Sequence, residues 1–359
     1  MIELNKYILL DSSNWIDLLN KKDSILKEEI QFMYEKGIIP LFTYSHLVEI
    51  LSNKNQTTVD ENFLRRISLL DSIPNIATLK YNNNFGDIGD LHCFEAEGVV
   101  KHKYTSQNEL RAYIQEKITF DSLNVGTSKD AMDQLSLHID IQKRKTRLLS
   151  AINRYGINPY YEIKMSEFEN YVMDSRNTDP LTIISKNINT YFTTKRLSPE
   201  DSDNITNDFM TMVDSLIQTT PQGMSFFDKM RELCKTTAID PNKTFGYYMY
   251  LFEINKHLEL IANDTQIPLT LLKSIPDEQL FSLNLKLKAY DLIQKELAKD
   301  ARRKIELGNF IDINLLVYSL YFTVIVDKRV IELVKRLNQS LSLKLNVITN
   351  EDFKKILAS

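Results

Sequence analysis

The stretch YILLDSSNWIDLL, residues 7–19, decides how the rest of the chain is read. Four apolar residues, Tyr7 to Leu10, run without interruption and stop at Asp11. A run that short is too brief for a helix. Apolar on both faces, it reads as a parallel strand buried from both sides. Ser12 or Ser13 can cap a following helix whose apolar positions are Trp15, Leu18 and Leu19. Strand, acid and capped helix together form the first unit of an α/β fold.

The same texture continues to about residue 80. A helix fits Ile25 to Tyr34 and stops at Gly37. Ile38 to Phe42 reads as a second strand, against which Pro40 is an objection. A helix over Ser45–Leu51, another over Phe63–Leu70 and a strand at Ile76–Leu79 follow. The texture returns near the C-terminus. There Asp312 is expected to open an apolar helix, Thr323–Val326 to form a strand ending at Asp327, and Val330–Leu337 to form an amphipathic helix. Leu345–Ile348 supplies a last strand and Glu351–Leu357 a last helix. Alternating strands and helices predict a parallel sheet covered by helices on both faces.

Residues between Tyr81 and Asp300 read differently. Ile205, Phe209, Val213 and Leu216, then Phe226, Met230 and Leu233, recur at helical spacing. Phe252–Ile261 and Leu280–Leu297 read as further helices, and Tyr81–Tyr104 as an irregular connection. The expected division is therefore an α/β core built from residues 1–80 and 301–359, interrupted by a mainly helical insertion over 81–300. The two core pieces together have about the size most common for a single domain.

Bulk properties narrow the class. The chain has 359 residues, 43% hydrophobic and 26% charged, with only nine Gly and nine Pro, which suits a helix-rich globular protein. Cys93 and Cys234 form no ligand spacing and no disulfide framework, as expected of a reducing, cytoplasmic setting. The opening residues do not read as a secretory signal, and the longest apolar run, Leu315–Val326, is too short to span a bilayer. A net charge of −4 means that any phosphate binding rests on local basic patches or on cations.

Four acids occupy the places where chemistry collects in such a sheet. Asp11 follows the first strand, Glu49 lies on the helix after the second, Asp312 begins a helix and Asp327 follows the strand after it. Ligands of parallel sheets gather at the carboxyl ends of the strands. Carboxylates brought together there repel one another and require cations. Oxygen-only donors favour Mg²⁺ or Mn²⁺, which activate water and stabilise the leaving oxygen in phosphodiester cleavage. Each acid also has an ordinary reading: Asp11 and Asp312 as helix caps, Glu49 as a solvated helix acid and Asp327 as a turn residue. His46 lacks partners of its kind in sequence and reads as structural.

The segments that carry these acids resemble those of PIN-domain nucleases. YILLDSSNWIDLL is similar to the family's opening strand and Asp, and LFTYSHLVEIL (41–51) to the segment with its helical Glu. FIDINLLVYSLYFTVIVDKRVIELVKRL (310–337) resembles the segment with two further Asp, and LNVITNEDFKKIL (345–357) the last strand and helix. The resemblance covers about 140 residues at the two ends. It implies a parallel-sheet nuclease fold with Mg or Mn held by Asp11, Glu49, Asp312 and Asp327. Family members often carry Thr or Ser two residues before the last Asp, where this chain has Ile325. The expected activity is hydrolysis of single-stranded or structured RNA in the cytoplasm, without a membrane partner. The alternatives are a PIN-like binding or regulatory protein with weak catalysis and a structure-specific DNA nuclease. Arg302, Arg303, Lys328 and Arg329 flank two of the acids and are the expected phosphate contacts. The insertion is a candidate surface for a homodimer or a protein partner.

Overall fold

The computed structural model describes residues 6–51, 61–73, 76–81, 87–121, 164–166, 226–299 and 307–358. In chain order the elements are β1 (Tyr7–Leu9), α1 (Ser12–Leu19), α2 (Asp23–Glu35), β2 (Ile39–Phe42), α3 (Tyr44–Leu51), α4 (Glu61–Ser72) and β3 (Ile76–Leu79). Then come α5 (Ile88–Lys101), α6 (Gln107–Gln115), β4 (Ile118–Asp121), α7 (Phe226–Leu233), α8 (Phe245–Thr265), α9 (Leu269–Lys273) and α10 (Phe281–Lys299). The chain ends with α11 (Leu307–Val317), β5 (Thr323–Val326), α12 (Lys328–Leu341), β6 (Val347–Thr349) and α13 (Asn350–Ala358).

The six strands form one sheet in the order β4-β3-β2-β1-β5-β6. All neighbours pair in parallel except β3 and β4, which are antiparallel. Every residue of β2, β3 and β5 is buried, as continuous apolar runs in a sheet covered on both faces should be. The turn into β2 depends on Gly37. Its φ of 73° lets its N–H bond the Tyr34 carbonyl while the Ile38 N–H bonds that of Met33, closing α2 as a Schellman motif.

Pro40 sits inside an interior strand, contrary to its usual place at edges. The ladder explains why it is tolerated. Ile39 donates its N–H to the Lys6 carbonyl on the β1 side, so alternation turns the nitrogen of Pro40 toward β3. There the pairing begins only at Leu41 opposite Ala77, and the missing donor falls at the mouth of the ladder.

The chain divides into two compact units. One comprises Met1–Asp140, His257–Tyr290 and Gly308–Ser359; the other comprises Ile141–Lys256 and Asp291–Leu307. The first holds the whole sheet. In the second, Met165, Met230, Cys234 and Tyr248 form a small core against which Ile239, Leu251 and Phe252 pack. The helical expectation for 226–299 agrees with α7 to α10, whereas Ile205 to Leu216 lie outside the described residues.

Three expectations are corrected. Residues 81–300 do not leave the sheet alone: β4 lies within them and extends the sheet at the β3 edge, and 257–290 belong to the sheet's unit. The β4 sequence, Ile-Thr-Phe-Asp, is too short to stand out from helical surroundings. The stretch 81–104 is not an irregular connection throughout, because α5 fills 88–101. Its start is a reciprocal capping box, with Asp87 accepting from the Asp90 N–H and Asp90 from the Asp87 N–H. Two Asp residues do the work for which Ser/Thr and Glu are the usual signature. Asp312 does not open its helix either. α11 begins at Leu307, and Leu307, Phe310, Ile311 and Leu315 carry the helical period back past the acid.

Candidate functional site

The strand order places a switch point between β1 and β5. From β1 the chain steps outward through β2 to β3 on one side, while β5 and β6 lie on the other. Helices entering such a sheet diverge on either side of the switch, leaving a crevice beyond the carboxyl ends of the two strands. Asp11 follows β1 by two residues and Asp327 follows β5 directly, so both stand at that crevice. Carrying the Leu9–Val324 register forward brings Asp327 level with Ser12, and the Val326–Thr349 register brings it level with Asn350.

Asp11 is half-buried and accepts a 2.5 Å hydrogen bond from the Ser13 hydroxyl. Its pKa is raised above the ordinary aspartate value. Burial is the main cause, the Ser13 bond opposes it, and the negative charge of Asp327 adds to it. Asp327 is thus near enough for its charge to be felt at Asp11. Asp11 also starts α1, where Asn14 Oδ1 accepts from its backbone N–H at 3.2 Å. Asp327, exposed to solvent, is the residue that starts α12. Both acids are the residues that precede a helix, where the N-terminal N–H groups favour negative charge.

His46 fixes α3 to this rim. It is fully buried, with Nε2 2.7 Å from the Leu10 carbonyl and Nδ1 accepting from the Thr43 N–H at 3.0 Å. The network assigns the proton to Nε2, which donates to Leu10. Thr43 immediately precedes α3, so the imidazole holds the entry to that helix and clips it to the residue before Asp11. Burial lowers the His46 pKa to about 4 and keeps the ring neutral. Trp15 packs edge-on against Phe42 with ring centres 5.1 Å apart, next to the same imidazole. His46 is accordingly the structural residue the sequence suggested. Glu49, half-buried, lies one turn farther along α3.

Asp11 and Asp327 stand at the ends of the adjacent strands β1 and β5, Glu49 lies on α3, and the half-buried Asp312 lies in the middle of α11. Among the described residues, no group of three or more His, Cys, Asp or Glu side chains is arranged to hold a metal ion. Of the basic residues, Lys328 is exposed and paired with Glu351 at 2.8 Å. Arg302 and Arg303 lie outside the described residues, as does the side chain of Arg329.

Two oxygen atoms at the same rim were not singled out as ligands from sequence. Ser12 Oγ and Asn350 Oδ1 are buried and have no hydrogen-bond partner among the described residues. Buried polar atoms are rarely left so, and two near a pair of carboxylates suit a bound cation or polar ligand. The only sequence signal for Asn350 was its place directly after the last strand, where a helix cap is the simpler reading.

Comparison with protein-family models, curated proteins and solved structures returned no match. Among the described residues no helix is long and apolar enough to cross a membrane.

Proposed function

We propose that the chain is a metal-dependent nuclease of the PIN-like kind that hydrolyses RNA. The observation that carries this reading is the placement of Asp11 and Asp327 at the carboxyl ends of the adjacent strands β1 and β5, at the sheet's switch point. The donor set fits a hard cation: two carboxylates with the unpartnered oxygens of Ser12 and Asn350 at the same rim. Asp11 and Asp327 would hold Mg²⁺ or Mn²⁺, with Glu49 and Asp312 reaching it through water or after closure. When bound, the ion supplies an activated water and charge stabilisation at the phosphate. Ser13 orients the Asp11 carboxylate through its short hydrogen bond, and the His46 clip holds the Leu10–Asp11 backbone against α3. The flanking helix N-termini supply N–H donors to an anionic phosphate.

A second reading, a PIN-like protein that binds nucleic acid without efficient cleavage, is favoured by one observation. Ile325 occupies the place where members of that family often carry a hydroxyl residue. Labelled single-stranded and duplex RNA and DNA, incubated with wild type and Asp11→Asn in Mn²⁺ or chelator, separates the readings. Mn²⁺-dependent cutting of RNA, lost in Asp11→Asn, supports the nuclease. Binding without cutting supports the second reading, and preferential cutting of structured DNA supports a DNA nuclease instead.

A further inference from the structure

A second polar cluster lies buried within the sheet's unit, apart from the carboxylate pair. It joins α5, the first turn of α10 and the segment before β5. Glu95, fully buried, accepts from the Ser282 N–H with both oxygens at 3.0 Å, from the Ser282 hydroxyl at 2.6 Å, and from the Tyr321 hydroxyl. Ser282 is the second residue of α10, so its N–H is one of those the helix cannot satisfy itself, and Glu95 caps it from outside. The Ser282 hydroxyl has a second neighbour, His92 Nδ1, at 2.6 Å. His92 is buried too, and its Nε2 has no hydrogen-bond partner among the described residues.

This is not the arrangement of a hydrolytic triad. The carboxylate binds the serine rather than the histidine, and Ser282 is closed to any substrate. One hydroxyl between an imidazole and a carboxylate has a different property. Each of its two short contacts holds one proton, and the hydroxyl donates to only one side at a time. With Glu95 ionised, Ser282 donates to Glu95 and must accept from His92, whose proton is then on Nδ1. With Glu95 protonated, the acid donates to Ser282, Ser282 donates to His92 Nδ1, and the His92 proton is on Nε2.

We propose that His92, Ser282 and Glu95 form a buried proton relay with two states, in which the tautomer of His92 reports the ionisation of Glu95. The balance is simple. A proton arriving at His92 Nε2 releases the Nδ1 proton to Ser282 Oγ, while the hydroxyl proton passes to Glu95 Oε2. One proton is added in total, the imidazole is neutral before and after, and the carboxylate becomes a carboxylic acid. The reverse sequence releases a proton.

The surroundings favour passing the proton on. The groups facing His92 are His257, with ring centres 6.0 Å apart, and Lys286, which is 3.1 Å from His257 Nε2. Burial first, and then these two neighbours, hold the His92 pKa well below the ordinary value, so the ring does not keep a second proton. Glu95 faces Tyr321, and Arg111 lies near that phenol. Burial raises the Glu95 pKa to about 7 against the opposing hydrogen bonds of Ser282 and Tyr321. On the same helix Cys93 approaches Asp264, with Asp87 and Asp90 at the helix start and Glu97 one turn beyond.

The test is ¹⁵N NMR of the histidine rings in the intact chain, which has five histidines, with His92 assigned through His92→Gln. Between pH 8.5 and 5.5 the His92 proton should move from Nδ1 to Nε2 without the ring becoming cationic, with a midpoint near 7. In Glu95→Gln the ring should stay in one tautomer throughout. A His92 pattern that is constant in wild type, or that becomes cationic over this range, overturns the relay. So does an equal switch in Glu95→Gln. If that variant does not fold, the wild-type spectra decide, together with the Glu95 carboxyl ¹³C titration, which must share the ring's midpoint.

Discussion

Two fully buried titratable groups should give the protein opposite and nearly cancelling pH dependences. The His46 pKa falls from 6.5 to about 4 on folding. Below 6.5 the unfolded chain takes up a proton that the folded protein refuses, so stability is lost as pH falls from 6.5 toward 4. At about 1.4 kcal/mol per pH unit, the full window is worth ~3 kcal/mol. Glu95 has the opposite sign, its pKa rising from 4.5 to about 7. Its contribution is fully present below 4.5 and is lost as pH rises through 7, again by ~3 kcal/mol. The windows overlap between 4.5 and 6.5, where wild type should show a nearly flat profile from these two groups. Removing one sign uncovers the other slope. Glu95→Gln should become more stable as pH rises from 4.5 to 6.5, the more so because the buried His92 ring has the same sign as His46, whereas a His46→Gln/His92→Gln double variant should become less stable. His46→Gln should also be weaker by about 2–4 kcal/mol near neutrality, since the Leu10 carbonyl or the Thr43 N–H loses its partner. Urea unfolding followed by Trp15 fluorescence is the assay. Trp15 is the only tryptophan, and it is buried against Phe42 in the sheet's unit. Parallel profiles for wild type, Glu95→Gln and the double variant would refute the assignment of these buried ionisations.

Asp11→Asn should abolish Mn²⁺-dependent RNA cleavage yet melt, in chelator, at or above the wild-type temperature, because burial and the Asp327 charge both disfavour the Asp11 carboxylate; a large drop in melting temperature would make the residue structural. Mn²⁺ should raise the melting temperature of wild type but not of Asp11→Asn/Asp327→Asn, and equal shifts by differential scanning fluorimetry would place the ion elsewhere. Gly37→Ala should cost about 1 kcal/mol in urea unfolding from its positive φ alone, since an added Cβ there meets nothing within 4 Å; a neutral result would mean that the turn tolerates another backbone conformation.

The parallel sheet was legible because its strands are short apolar runs bounded by chemistry that stops them. Tyr7 to Leu10 ends at Asp11, Thr323 to Val326 ends at Asp327, and Gly37 closes α2 before β2. These are local signals, and they place elements to within a residue or two. What failed was non-local or ambiguous. β4 is a strand because β3 offers it an open edge, and Ile118–Asp121 carries no pattern that names that partner. The start of α11 was misplaced because Asp312 resembles a cap while the apolar period runs through it.

The site shows the same limit in another form. Sequence order placed Asp11 and Asp327 at strand ends, and the adjacency of β1 and β5 brings those ends together. Glu49 and Asp312 depend instead on where helices point, which spacing along the chain does not determine. The unpartnered oxygens of Ser12 and Asn350 follow from burial and hydrogen bonding that only the fold arranges. The Glu95 network lay deeper still. Its partners, Ser282 and Tyr321, are 187 and 226 residues away in sequence, and no motif links them. A buried carboxylate reads in sequence as an ordinary helix acid. Its environment, rather than its residue type, makes it titrate near neutrality, and that environment is assembled only by the fold.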